Sequence, residues 1–125
     1  MIDGVLYQDA NERGLPLTIS GASTSYSKVF GGNDAVNWST HLVWTGTLNG
    51  TLTLWASNKP NPNLATDADW VSVTLPSGLS GPNGSAGSSF ADIGNSAGRA
   101  YRLKFVYSAG SGDLSGWWHG KKASA

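Results

Sequence analysis

Potential chemistry in this chain is concentrated between Ala100 and Lys122, in AYRLKFVYSAGSGDLSGWWHGKK. Arg102, Lys104, Lys121 and Lys122 stand there beside Tyr101, Phe105, Tyr107, Trp117, Trp118 and His119. Rings next to cations suit a nucleic-acid groove, a platform for sugar rings, or the end of a β-sandwich whose rings are core. Alternation helps to separate these. In an extended strand Tyr101, Leu103, Phe105 and Tyr107 share one face, and Arg102, Lys104 and Val106 share the other. Nucleic-acid binding requires rings and cations on one face, so a nucleic-acid partner is disfavoured. The basic pair is expected on an outward stripe, with head groups open to acidic surfaces.

Catalytic and metal-binding patterns are weak. The chain has two His, one Glu and no Cys, so it lacks thiol chemistry and disulfides. Its Ser-rich runs are not nucleophile elbows, and GSAGSS lacks the Lys and helix of a P-loop. Asp67 and Asp69 lie two apart, but glycosidase carboxylates are set by spacing in three dimensions. Asn33–Asn37 and Asn61–Asp69 offer oxygen ligands at less than EF-hand density, and turn formation explains both. His41 and His119 without carboxylate company make a poor zinc site. The expectation is a protein that is not an enzyme and has no cofactor or metal. Six Trp in 125 residues keep a sugar platform open. Trp55, and one of Trp117 and Trp118, should project outward by alternation.

The elements that must position these groups read as strands. Trp38, Thr40, Leu42 and Trp44 alternate with Ser39, His41, Val43 and Thr45. Asn49-Gly50 then signals a type I′ hairpin into Thr51–Ser57, in which Leu52 and Leu54 face inward. Further strands are expected over 15–20, 25–30 and 70–75, around Ser88–Ile93, and over 100–108. The last is expected to form a hairpin with 114–120. Ser77–Ser89 is nearly all Gly, Ser, Asn and Pro, and reads as an exposed mobile loop. About eight short strands without helices give an all-β, antiparallel β-sandwich of jelly-roll or related Greek-key type. The expected core includes Leu42, Trp44, Leu52, Leu54, Leu103 and Phe105. The expected domains are an N-terminal arm over 1–14, a sandwich over 15–122 and a C-terminal tail over 123–125.

Only 13% of residues are charged, with zero net charge. Residues 1–98 hold Arg13, Lys28 and Lys59 against seven acids and sum to −4; residues 99–125 sum to +4. Such a dipolar chain suits docking on an acidic partner or association with like subunits. It equally suits oppositely charged neighbouring strands. The opening MIDGVLYQDANERG has no basic n-region or long apolar run and does not read as a signal peptide. No stretch spans a bilayer as a helix, so no membrane partner is expected.

One pattern goes further than composition. GTLTLWASNKP…ADWVSV, a Gly/Ser loop, and GRAYRLKFVYSAGSGDLSGWWHGK together resemble a layout of small structural proteins of tailed bacteriophages. The matching residues are Leu54, Ser57, Asn58, Trp70, Tyr101, Arg102, Leu103, Ser111, Gly112, Gly120 and Lys121, and the likeness runs from Gly50 to Lys122. It implies a head decoration or cement protein in the virion, assembled in the host bacterial cytoplasm, often as a trimer. Its partner would be the major capsid protein or another virion protein; tail and baseplate proteins carry similar sandwiches. On this reading the interface is Arg102, Lys104, Lys121 and Lys122 meeting Asp3, Asp9 and Glu12 of the arm. The alternative is a carbohydrate-binding module with Trp55, Trp117 and Trp118 as its platform.

Overall fold

The computed structural model describes residues 2–9, 11, 13, 15–31, 37–93 and 99–121. These form nine strands and no helix: β1 (Ile2–Tyr7), β2 (Leu17–Ile19), β3 (Thr24–Tyr26), β4 (Asn37–Trp44), β5 (Asn49–Ser57), β6 (Val71–Val73), β7 (Gly87–Ile93), β8 (Ala100–Ala109) and β9 (Gly112–Lys121). The first sheet has the order β1-β9-β4-β7, with β2 also paired to β9; the second has the order β3-β8-β5-β6. All pairs are antiparallel. The architecture is an antiparallel β-sandwich, as its alternating patterns predict.

The two inner faces close on one core. Leu42, Trp44, Leu52, Leu54, Leu103 and Phe105 are all buried in it. One end is aromatic: Phe30 meets Trp38 edge-on at 4.9 Å, and Trp38 lies 5.3 Å from Tyr101. Edge-on geometry places the positive rim of one ring against the negative face of the other. Burial pushes the Tyr7 hydroxyl above its ordinary pKa, because the phenolate would lose its hydration. As the neutral form it donates to Leu103 O at 3.2 Å.

Both expected hairpins are instead crossings between sheets. β4 belongs to the first sheet and β5 to the second; β8 belongs to the second and β9 to the first. Asn49-Gly50 is not a turn but the start of β5, where the register slips against Ala109 and Tyr107 of β8. Gly50 is needed there for close approach, since a Cβ would sit 2.3 Å from Val106 O. The two crossings grip each other. Thr45 N–H donates to Asp113 O at 3.0 Å, and Thr47 N–H to Ser111 O at 2.9 Å. Gly110 adopts φ +76°, and a Cβ on it would lie 1.9 Å from Thr47 O. No residue with a side chain fits that position without moving the backbone.

Two other expectations change. The segment expected as an N-terminal arm contains β1, paired to β9 from Ile2↔Gly120 to Tyr7↔Gly116. The Ser77–Ser89 loop is anchored rather than free: Leu79 and Pro82 are buried, and Ser89 Oγ donates to Ser80 O at 2.6 Å. Trp44 Nε1 donates to Ser85 O at 2.9 Å, and Gly84 N–H to Leu48 O at 2.9 Å. Two apolar side chains and the backbone bonds around them supply the anchors that a Gly/Ser-rich composition does not reveal. The expected tail, 123–125, lies outside the described residues.

Candidate functional site

Two outer faces carry aromatic and charged groups, and they are built differently. On the second sheet, Arg102 and Lys104 do project away from the core, opposite Leu103 and Phe105. They are not free. The chain between β5 and β6 folds back over them, and Arg102 is 0% exposed. Its guanidinium lies 4.5 Å from the Tyr26 ring centroid, 4.9 Å from Trp70 and 5.3 Å from Trp55. It donates to Leu64 O and to Asp67 Oδ1, each at 2.5 Å. Three π faces and an acid compensate a charge that would otherwise be costly to bury.

Lys104 completes the arrangement. Its Nζ donates to Asp67 Oδ2 at 2.6 Å and lies 5.2 Å from the Trp55 ring. The Lys104 hydrogen bond, helped by Arg102, holds the Asp67 carboxyl below the usual carboxylate range despite an opposing desolvation effect. The covering loop is internally tied. Asp69 accepts from Asn63 N–H at 2.8 Å and pairs with Lys59 at 2.7 Å, and Trp70 Nε1 donates to Asn63 O at 2.9 Å. The oxygens that suggested a cation loop thus serve its turns. Among the described residues no cluster of three or more His, Asp or Glu is placed to hold a metal ion.

The first sheet's outer face is open. Pairing register aligns one side chain from each of four strands: Val5 of β1 opposite Trp117 of β9, Trp117 opposite His41 of β4, and His41 opposite Phe90 of β7. His41 lies 5.6 Å from Trp117 and 6.2 Å from Phe90 between ring centroids. Trp117 is 44% exposed and Phe90 59%. The next row, in the same register, reads Asp3, His119, Ser39 and Asp92. On the other side lie Ser115, Val43 and Ser88. A row of three rings and Val5 therefore runs across the strands, with a polar row on one side and a mixed row, two Ser flanking Val43, on the other. Asp3, Val5, Ser39, His41, Phe90, Trp117 and His119 line a shallow depression there.

The expected site residues divide accordingly. Arg102 is corrected from a free interface cation to a buried structural one, and Lys104 from free to paired. Asp3 is exposed on β1, on the polar row, and does not meet the basic pair. Asp9 pairs with Arg13 at 2.7 Å, and the Arg13 backbone N–H leads in lowering its pKa. Lys121 is exposed at the end of β9. Glu12 and Lys122 lie outside the described residues. Of the three platform Trp, only Trp117 is open. Trp118 is 9% exposed and sits in the core against Phe30, and Trp55 is packed on Arg102. Phe90, Val5, Ser39 and Asp92 were not singled out in the sequence. Alternation places His41 outward, but only the register of four strands from distant parts of the chain assembles the row. No protein-family model and no curated protein matches this chain.

Proposed function

We propose that the chain is a non-enzymatic structural protein of a tailed-phage virion, of the head decoration or cement type, folded as a jelly roll. The observation that supports this best is where the phage-like residues fall. Leu54, Tyr101 and Leu103 are core, and Ser57 Oγ accepts from Lys59 N–H at 3.1 Å. Asn58 accepts from Arg99 N–H at 2.8 Å, Trp70 stacks on Arg102, and Ser111 bonds across the paired crossings. The likeness thus covers a working framework of the second sheet, its covering loop and the crossings, and a common framework favours a common architecture. The order β1-β9-β4-β7 against β3-β8-β5-β6 fits the two Greek keys of a jelly roll.

Docking on this reading does not run through Arg102 and Lys104, which are committed within the chain. It uses other surfaces against the major capsid protein or another virion protein, in an oligomer with trimer favoured. The test is co-sedimentation of purified chain with mature capsids of its source that lack it. Saturable binding by wild type and by Trp117→Ala alike is expected, and absence of saturable binding removes the reading. A second reading, a carbohydrate-binding β-sandwich module, of a phage tail or fibre or of another protein, is favoured by the open row of the first sheet.

A further inference from the structure

The row has a size, a charge and an unused bonding capacity that together select a class of ligand. Four strands at a spacing of about 4.8 Å make it about 14 Å long, and adjacent rows lie about 7 Å apart along the strands. The aromatic row and its acidic neighbour, each about 7 Å wide, then cover a projected area on the order of 200 Å², against roughly 800 Å² of accessible surface per partner in a stable protein interface. A small ligand with flat apolar faces fits; a docked protein would need much more contact elsewhere. The side chains of Asp3, Ser39, Asp92 and His119 have no hydrogen-bond or ion-pair partner among the described residues. Two carboxylates accept, a hydroxyl donates and accepts, and an imidazole does both. Asp3 and Asp92 stand at opposite ends of their row, and Lys121 is the cation on the next row of the same face, so the described charge beside the rings is net negative and disfavours an anionic ligand.

We propose that the outer face of the first sheet binds a neutral oligosaccharide, with sugar rings lying on Trp117, His41 and Phe90 and hydroxyls bonded by Asp3, Ser39, His119 and Asp92. This rests on the second reading above. A pyranose has one face of C–H groups and a rim of hydroxyls, which matches an apolar row bordered by acceptors and donors. Few polar groups beside aromatic walls are the usual composition of a small-ligand site. The rigid sheet holds the rings at fixed separation, which limits the ordering cost of binding.

The probe is a printed array of neutral oligosaccharides of glucose, galactose, mannose and N-acetylglucosamine beside sialylated and sulfated ones, with the full chain applied. Saturable binding confined to neutral members is expected, and calorimetry with the strongest of them gives the affinity. Trp117→Ala and Phe90→Ala should each weaken that affinity by about tenfold or more. Val106→Ala, on the other outer face, should leave it unchanged. Both ring side chains are exposed, and thermal melts of the variants check that they fold. An array without binding, binding only to acidic glycans, or full affinity in Trp117→Ala would overturn the proposal. The capsid experiment separates the two readings. Glycan binding without co-sedimentation removes the virion reading alone, and co-sedimentation without glycan binding removes this one alone.

Discussion

The outer faces of the two sheets start from similar materials. Each has aromatic rings beside ionisable groups in cross-strand register, and each points away from the same core. On the second sheet a loop stitched by Asp69, Asn63 and Trp70 closes over Arg102, and its aromatic and charged groups become a third layer of packing. On the first sheet no described segment covers Trp117 and Phe90, which remain 44% and 59% exposed. The residue types alone do not distinguish a buried cage from an open face. What distinguishes them is whether the groups already satisfy one another.

That contrast is open to direct attack. Arg102→Ala should cost about 3 kcal/mol in chemical denaturation, as for a large side chain removed from a packed interior. A cost below about 0.5 kcal/mol would mean that the covering loop is not packed as described. Asp67→Asn should cost less, about 1 kcal/mol, because the carboxylate is open to solvent on one side. Its effect should appear as faster amide exchange confined to residues 58–70; uniform exchange across the domain would refute a local latch.

Acid should act on the same face. Asp67 and Asp69 are both held below the ordinary carboxylate range: Asp67 chiefly by the Lys104 hydrogen bond, Asp69 chiefly by the Asn63 backbone N–H. A depressed folded pKa contributes stability that is fully present above the unfolded value of about 3.9 and lost as pH falls through the folded value. Protection of the loop should therefore hold at neutral pH and decline below about pH 4, with a flatter profile in Asp67→Asn. The smallest change is expected on the open face. Phe90→Ala and Trp117→Ala should each move stability by no more than about 0.5 kcal/mol. A larger loss for either would show that the row is packing rather than surface.

Much of the sandwich was legible because alternation reports which side of a strand each residue takes. Trp38, Thr40, Leu42 and Trp44 read as one buried face, and they are. Alternation does not report what lies over that side: it puts Arg102 on the outer face, and the loop that buries it leaves no trace in the strand's own pattern. Glycine was ambiguous for a related reason. Gly50 fits a turn that needs positive φ, but equally a strand pressed against Val106 O, and only the partner strand decides. The open row was the least legible part. Val5, His41, Phe90 and Trp117 come from four separate segments, and no spacing along the chain announces that they align.

Pairing of the first described strand with the last has a kinetic consequence. β9 is held between β1 and β2 on one side and β4 on the other, so the first sheet has no centre until β9 has arrived. Contacts of such long sequence separation must meet the loop-closure entropy before they return any stabilisation. Folding in milliseconds to seconds is about the range such sandwiches show. A chain still emerging from the ribosome would hold β1, β2 and the β4–β7 pair as separate pieces with open edges until β9 was released.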